Sequence, residues 1–144
     1  MRKPKITSLK NTSQSLLGGS RQVKLSSKET DGDIYLVEGV MPKGSSVPVH
    51  IHKFEDEIFH VLEGEVELVL GDDTFIGKVG DIIYLPRGIK HGISIIGEKT
   101  AKVLNYVIPG KNFETFFDKM NTQSANPTKE VTTKLAQEYG ITFV

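Results

Sequence analysis

Two histidines and a nearby glutamate are the residues of this sequence best suited to binding a metal. His50 and His52 stand one residue apart in the stretch HIHKFEDE, within a run of β-type residues. Side chains at positions i and i+2 of a strand point to the same side of the sheet, so the two imidazoles would share a face. Glu57 follows five residues after His52. If the chain turns near residues 54–56, the Glu57 carboxylate can point back toward both rings.

A third histidine occurs in a distant part of the chain. His91 follows a Pro-x-Gly turn in DIIYLPRGIKHGI and would begin another strand. Three imidazoles and one carboxylate could then converge inside a β-barrel, where ionisable groups would be costly to bury without a cation. Imidazole and carboxylate ligands suit Fe, Mn, Ni, Co or Zn, and the chain has no cysteine. These residues predict a divalent transition-metal site and leave the element open.

Other titratable residues near the cluster are weaker candidates. Glu55 and Asp56 precede Glu57 and could compete with it as ligand, but Asp56 has the opposite phase along the strand. Alternation from Glu57 also places Phe59 inward and His60 on the other face. We therefore expect His60 to be a surface or interface residue, whereas phase alone leaves both Glu55 and Glu57 open as ligands.

Short β-type runs dominate the chain from Arg21 to about Ile108, and glycines separate most of them. Many short strands with almost no helix between them are typical of an antiparallel sandwich or barrel. The GDDT stretch predicts a hairpin turn. We expect an N-terminal arm over residues 1–20, a β-barrel over residues 21–110, and a helical segment packed on the barrel over residues 111–144.

The helical signals lie near the C-terminus. Phe113, Phe116 and Phe117 have i, i+3, i+4 spacing, which favours a helix packed on the barrel over an aromatic lid. A second helix is expected with Asn126 as its cap, Pro127 at its first position and Gly140 at its end.

Composition excludes several classes of protein. The 144 residues carry no formal net charge and no long basic run, so we expect no nucleic-acid partner. No apolar stretch is long enough to span a bilayer and the N-terminus lacks the apolar core of a signal peptide, so we expect no membrane partner. The absence of cysteine fits a cytoplasmic protein. A small-molecule partner is expected.

Two spaced motifs give the sequence a resemblance to the cupin superfamily. The first, G-x5-H-x-H-x(3,4)-E-x6-G, is matched throughout, by Gly44, His50, His52, Glu57 and Gly64. The second, G-x5-P-x-G-x2-H-x3-N, is matched by Gly80, Pro86, Gly88 and His91, whereas Ile95 replaces its asparagine. The resemblance implies an all-β fold, an antiparallel double-stranded β-helix (jelly roll) with short C-terminal helices. It also implies that the metal ligands are His50, His52, Glu57 and His91.

The C-terminal stretch resembles that of small single-domain cupins near the quercetin dioxygenase branch. This implies a metal-dependent dioxygenase that acts on a small oxygen-chelating substrate, such as an aromatic compound, with Glu57 doubling as a catalytic base. A metal-dependent isomerase or lyase and a non-catalytic binding or sensing module remain alternatives. Superoxide dismutation is a weaker one. Whether the protein is catalytic stays open.

The expected pocket wall is apolar, and Ile95 in place of asparagine would favour a flat or aromatic substrate over a sugar. Three neutral imidazoles, one carboxylate and a divalent ion leave one net positive charge, which suits a monoanionic oxygen chelator. Arg87 and Lys90, before His91, are expected to be solvated turn residues. A homodimer is expected because a short barrel leaves sheet edges that need covering. The wall candidates are Val47, Val49, Phe59, Val61, Tyr84, Ile93 and Ile95.

Overall fold

The computed structural model describes residues 2–7, 14–16, 19–122 and 128–144. Eleven strands, one short 3₁₀ turn (Ser27–Glu29) and two α-helices make up these ranges. The strands are β1 (Gln14–Leu16), β2 (Gly19–Leu25), β3 (Tyr35–Met41), β4 (Ser46–His52), β5 (Asp56–Glu63), β6 (Val66–Leu70), β7 (Asp73–Gly77), β8 (Ile82–Leu85), β9 (His91–Ser94), β10 (Ala101–Ile108) and β11 (Ile141–Phe143). The helices are α1 (Lys111–Asn121) and α2 (Lys129–Glu138).

Two antiparallel sheets contain all of these strands. The six-stranded sheet has the order β1-β2-β3-β10-β5-β8, and the five-stranded sheet has the order β11-β4-β9-β6-β7. The predicted antiparallel β fold with late helices is confirmed, but in the described residues the two sheets form a sandwich and not a closed barrel. Hairpin β6–β7 turns through Gly71 and Asp72, as the GDDT stretch predicted.

Alternation along the strands builds the core between the sheets. In β5, Glu57, Phe59 and Val61 are buried, and Ile58 and His60 between them are half-buried. Because successive side chains of a strand point to opposite faces, each strand contributes every second residue to the interior. This sheet core contains Met41, Phe59, Val61, Val66, Leu68, Leu85, Ile93, Ile95, Ala101 and Val103.

The C-terminal helices close a second core. Phe113, Phe116 and Phe117 are all buried, as expected for a helix packed on the sheets. Around them pack Tyr35, Val37, Val107, Met120, Ala136 and Ile141. Because this group joins α1 and α2 to β3, β10 and β11, the helices are anchored to both sheets.

Helix α2 begins later than predicted. Thr128 is its N-cap, and the Thr128 hydroxyl accepts a hydrogen bond from the backbone N–H of Val131. Asn126 and Pro127, the predicted cap and first helical residue, lie outside the described residues. Gly140 follows the end of the helix with a φ of +74°, a left-handed conformation that favours glycine, so the predicted stop is confirmed.

Residues 2–7 contact the rest of the chain through polar groups. Arg2 pairs with Asp31 and Asp33, Lys5 pairs with Glu29, and the Thr7 hydroxyl donates to the Lys24 carbonyl. The Arg2 pairs are solvent-exposed, and such pairs contribute little to stability. Neither helix of the described chain is long and apolar enough to cross a membrane.

Candidate metal centre

Three strands from both sheets position the candidate ligands. His50 and His52 lie on β4, His91 begins β9, and Glu57 lies on β5. Strands β4 and β9 are neighbours in the five-stranded sheet, and their register places His50 directly opposite His91. Glu57 comes from the facing six-stranded sheet. The cluster is therefore assembled between the two sheets.

A bulge in β4 changes which of its side chains point inward. The register of β4 with β9 shifts by one residue between Val47 and His50. Because the extra residue reverses the alternation, Val47 and His50 both line the same cavity although they are three apart in the chain. Opposite the bulge stands Gly92, where an added Cβ would lie 2.9 Å from Val49 Cγ2.

The four side chains converge closely. One donor atom from each of His50, His52, Glu57 and His91 lies within 4.8 Å of the others. His50 Nε2 is 3.1 Å from His52 Nε2, and Glu57 Oε2 is 3.3 Å from His52 Nε2 and 2.8 Å from His91 Nε2. None of the four residues is more than 8% exposed. The structure thus brings together all four residues that the sequence predicted as ligands.

Hydrogen bonds on the far side of two rings fix their tautomers. His50 Nδ1 is 2.7 Å from the Pro48 carbonyl, and His52 Nδ1 is 3.0 Å from Glu55 Oε2. A carbonyl and a carboxylate can only accept, so each Nδ1 must carry the proton and donate. Each Nε2 then keeps a lone pair facing the cluster when the ring is neutral, which is the form that binds a metal.

Glu55 is a supporting residue and not a competing ligand. One of its carboxylate oxygens accepts from His52, and the other accepts from Asn112 Nδ2 at 2.6 Å. Asn112 lies on α1 and also donates to the Tyr139 carbonyl at 2.8 Å. The C-terminal helices therefore hold the orientation of His52 through Glu55. Sequence reasoning noted Glu55 only as a rival of Glu57.

Asn105 supports Glu57 in a similar way. Its Nδ2 donates to Glu57 Oε1 at 3.0 Å, which leaves Oε2 toward His52 and His91. Asn105 lies on β10, on the face that it shares with Val103 and Val107. The sequence analysis missed this residue. A polar side chain at an inward position of AKVLNYVI was the available signal.

Burial and the neighbouring charges shift the pKa values of three of the four clustered side chains. The pKa of His50 is lowered to about 4, because burial disfavours its charged form and His91 and His52 lie close by. Burial also acts to lower the pKa of His52, but Glu57 and Glu55 outweigh burial and raise it overall. Burial acts to raise the pKa of Glu57, but His52, His91 and His50 hold it well below its usual range. Glu57 is therefore ionised, as a carboxylate ligand must be.

The residues fit a cation. Among the described residues, Glu57 Oε2 and both ring nitrogens of His91 are buried without a hydrogen-bond partner of satisfactory geometry. Buried polar atoms are nearly always hydrogen-bonded, so unsatisfied atoms of this kind need an explanation. A divalent ion among the Nε2 atoms and Glu57 Oε2 would satisfy the two of them that face the cluster.

A cavity of about 130 Å³ extends from the cluster between the sheets and α1. Phe113, Phe116, Phe117 and Phe143 line it, and the ring centroid of Phe113 is 4.9 Å from that of His52. The helix thus packs on the sheets and also walls the cavity. Of the predicted wall residues, Val47, Phe59 and Ile93 line it.

The other four predicted wall residues do not line the cavity. Tyr84 is 57% exposed, because it pairs with outward-facing Ile58 on β5. Val61 and Ile95 belong to the sheet core beyond the cavity, and Val49 sits at the β4 bulge. Two of these four residues, Val61 and Ile95, are therefore buried but away from the cavity, and Val49 is half-buried.

The other residues singled out from sequence lie away from the cluster. His60 is half-buried on the outer face, next to Ile82 and Leu104 in register, and is not part of the four-residue group. Arg87 binds Asp56 with its backbone N–H and its side chain. Lys90 pairs with exposed Asp72. Arg87 and Lys90 are therefore surface residues of the turn, as predicted.

Sequence comparisons place the strands described above in a known family. The cupin domain family matches residues 36–107. The uncharacterized protein MJ1618 of Methanocaldococcus jannaschii is 38% identical over 69 residues, which are 48% of this chain and 55% of that protein. Quercetin 2,3-dioxygenase of Bacillus subtilis is 30% identical over 90 residues, which are 62% of this chain and 26% of the enzyme. The matches thus span only about a quarter to just over half of these relatives.

Solved structures share the architecture. A predicted oxalate decarboxylase from Thermotoga maritima has a TM-score of 0.61 and 26% identity, over 62% of this chain and 79% of that chain. The polyketide cyclase RemF from Streptomyces resistomycificus has a TM-score of 0.60 and 26% identity, over 68% and 73%. The family match runs from β3 to β10 and contains all four clustered residues. The chain belongs to the cupin superfamily.

Proposed function

We propose that this cupin binds a divalent transition metal through His50, His52, Glu57 and His91 and catalyses a reaction of a small oxygen-chelating substrate. A dioxygenase-type oxidation is the first candidate. The observation that carries the proposal is the convergence of four buried donor atoms within 4.8 Å at the end of an apolar cavity. Three imidazoles and a carboxylate suit Fe, Mn, Ni, Co or Zn.

A metal at this cluster would supply Lewis acidity and a template for the oxygen atoms of the substrate. The protein's own contribution is to hold the donors in place. Pro48 and Glu55 keep the protons of His50 and His52 on Nδ1, and Asn105 holds one oxygen of Glu57. Burial of all four side chains also limits the access of bulk water to the reacting groups.

The cavity limits the size of the substrate. A cavity of about 150 Å³ lined by apolar side chains holds one benzene ring. The present cavity of about 130 Å³ therefore accommodates roughly one aromatic ring or a short unsaturated chain. Its aromatic wall favours a flat molecule. A substrate with several rings would require α1 to move.

Glu57 is the proposed proton acceptor as well as a ligand. Its neighbouring imidazoles keep it ionised, so it is ready to accept a proton, although a carboxylate with a lowered pKa is a weak base. Such a base suits only a hydroxyl whose own pKa is lowered as well, as that of an enediol or a catechol would be beside a divalent ion. Asn105 bonds Glu57 Oε1, so Oε2 is the atom available to the substrate side.

Similarity to quercetin 2,3-dioxygenase supports the oxidative candidate, although the match covers 26% of that enzyme. A second candidate is an isomerase or lyase reaction that consumes no oxygen. It is supported by RemF, a polyketide cyclase, which aligns with 68% of this chain at 26% identity. The aromatic wall of the cavity suits a ring-forming or ring-opening reaction in either case.

Elemental analysis and oxygen uptake test the proposal. Protein purified without added metal should contain close to one transition-metal ion per chain, and the His91→Ala variant should contain almost none. Oxygen consumption with a catechol or enediol substrate would support the dioxygenase. Turnover that is equal with and without oxygen would support the isomerase or lyase. Metal without turnover of any such compound would favour a binding module.

We also propose that the chain forms a homodimer through the outer face of the six-stranded sheet. Tyr84, Ile58, Tyr106 and Leu36 lie side by side across this face in strand register. Ile82 next to them is 62% exposed. A second copy would cover this apolar row. Light scattering at micromolar concentration should give twice the monomer mass, and Tyr84→Lys should shift it toward the monomer.

A further inference from the structure

Arg21 is a half-buried cation whose Nε and Nη1 atoms are buried at the opposite side of the same cavity. It lies on β2, opposite Gly39 on β3, on the face of the six-stranded sheet that also carries Glu57. Arg21 lines the cavity together with His50, His52, Glu57 and His91. An arginine at such a position is unusual, because charged side chains are rarely buried unless they are paired.

The contacts of Arg21 hold its side chain but leave it undersatisfied. Its Cζ atom lies 3.3 Å from the ring centroid of Phe117, and its Nη2 donates to the Tyr35 hydroxyl. Nε and Nη1 are buried and have no hydrogen-bond partner within the described ranges. The guanidinium group is thus stacked and oriented, while N–H groups on two of its nitrogens remain available.

No carboxylate of the described residues forms an ion pair with Arg21. The carboxylates whose negative charges act on the Arg21 guanidinium group are those of Asp118 and Glu114. Glu114 accepts hydrogen bonds from Ser26 and Ser27, and Asp118 lies 3.8 Å from Lys28. Because both acids are held by other groups, the positive charge of Arg21 has no partner of its own. A buried charge of this kind is unfavourable unless another group compensates it.

We propose that Arg21 binds a carboxylate group of the substrate, while oxygen atoms at the other end of the same molecule face the His50, His52, Glu57 and His91 cluster. This inference rests on the proposed function and specifies its substrate class. A guanidinium group offers a planar set of N–H donors, and its hydrogen bonds to a carboxylate are charge-assisted. The substrate would be a small hydroxylated aromatic or unsaturated carboxylate.

The wall between the two sites suits such a molecule. The ring centroids of Phe117 and Phe113 are 4.6 Å apart, and those of Phe113 and His52 are 4.9 Å apart. These rings form an aromatic side from Arg21 to the cluster. On the strand next to Arg21, an added Cβ at Gly39 would meet only the Val103 carbonyl, at 3.8 Å, so the cavity has free space over Gly39.

Two matched probes test the inference. 3,4-Dihydroxybenzoate has a catechol at one end and a carboxylate at the other, and 3,4-dihydroxybenzamide replaces the carboxylate by a neutral amide. Their dissociation constants are measured by calorimetry with wild-type protein, Arg21→Met, Arg21→Lys and Lys102→Met, each with its metal content determined. Lys102→Met is the control, because it removes a positive charge from the outer face of the same sheet, where Lys102 pairs with Glu63.

We expect the wild type to bind the benzoate at least about tenfold more tightly than the benzamide, as charge-assisted hydrogen bonds predict. Arg21→Met should abolish this preference while retaining metal and a wild-type melting temperature, because it removes an unpaired buried charge. Arg21→Lys should keep part of the preference, and Lys102→Met all of it. A purely structural Arg21 would instead lower the melting temperature and leave the preference unchanged.

Several results would overturn the inference. Any one of three results is sufficient: equal affinities for the two probes in the wild type, no binding of either probe, or an unchanged preference in Arg21→Met. The metal content of each protein separates failure of the Arg21 inference from failure of the proposed function. Protein that holds metal but shows no preference for the carboxylate contradicts only the role of Arg21. Protein that lacks metal but keeps the preference contradicts only the metal site.

Discussion

His50 on β4 lies directly opposite His91 on β9, and the centroids of their rings are 4.5 Å apart. The two residues belong to separate sequence motifs, so the pairing of β4 with β9 is what unites the motifs. Two charged imidazoles at this distance would repel each other, and His91 is one reason that the pKa of His50 is lowered to about 4. The strand register thus favours the neutral ring that a metal requires.

Removing His91 should remove the metal and preserve the fold. We expect His91→Ala to hold less than about a tenth of the wild-type metal, because metal binding needs the converging lone pairs. His60→Ala is the matched control, since His60 is a half-buried histidine outside the cluster. Elemental analysis gives the metal content and circular dichroism checks the fold. Full metal content in the His91 variant would refute the ligand assignment.

Chelation of the metal should lower the melting temperature. A ligand that binds only the folded state adds about 2.7 kcal/mol when it is present at a hundredfold excess over its dissociation constant. For a chain of this size, 1 kcal/mol corresponds to roughly 2–4 °C. A drop of several degrees by calorimetry is expected after verified metal removal, with recovery when the metal is restored. An unchanged melting curve would show that the ion contributes nothing to stability.

Asn112 should influence the metal from outside the cluster. It donates to Glu55, which accepts from His52 Nδ1. Loss of such a supporting hydrogen bond typically weakens metal binding about 10–100-fold. We expect this weakening in Asn112→Ala by competition with a chelator of known affinity. Asn121→Ala changes an exposed asparagine of the same helix and should have no effect. Equal metal affinities in the two variants would count against the Glu55 link.

Gly110 should not tolerate a side chain. An added Cβ there would lie 2.6 Å from Tyr35 Cβ and 2.7 Å from the carbonyl carbon of Ile34. Since this backbone cannot move aside easily, Gly110→Ala should destabilise the protein by about 1–3 kcal/mol in urea unfolding. Gly97 has no atom within 4 Å of its added Cβ, so Gly97→Ala is the control. A Gly110 variant as stable as the Gly97 variant would contradict the packing of α1 on β3.

The Asp56–Arg87 pair should add a small, pH-dependent stability. Hydrogen bonds from Arg87 lower the pKa of Asp56, so the pair stabilises the fold above the ordinary aspartate pKa near 4. This stability is lost as the pH falls through the lowered pKa of the folded state. Because the pair is solvent-exposed, Arg87→Ala should lower the stability only slightly at neutral pH.

Urea unfolding of the wild type and Arg87→Ala at several pH values measures this difference. It should shrink toward zero as Asp56 becomes protonated in the folded state. A difference that stayed constant down to the lowest pH at which both proteins fold would mean that packing of the Arg87 side chain, and not its charge, is responsible.

Local spacing pointed to the cluster, and the cupin motifs selected Glu57 from its acidic neighbours. His50 and His52 share a face because of strand alternation, and a turn returns Glu57 to them. Alternation also predicted that His60 would face outward. It failed in β8, where the phase of Tyr84 depends on its pairing with Ile58 in β5. It also could not foresee the bulge of β4, because bulges are set by the pairing of two strands.

Residues that support the cluster could not be found by spacing. Asn105 and Asn112 lie far from the motifs in sequence, and only the packing of β10 and α1 brings them to Glu57 and Glu55. Arg21 is a similar case, since its inward position follows from its register opposite Gly39. An arginine in the apolar phase of a strand was nevertheless a visible signal.

The last strand has a consequence for how the protein is made. β11 pairs with β4, with Ile141 opposite His52 and Phe143 opposite His50. Until residues 141–143 have left the ribosome, the strand that carries two of the clustered imidazoles keeps one unpaired edge. If the four side chains bind an ion as proposed, loading of the nascent chain is expected only after β11 has been synthesised.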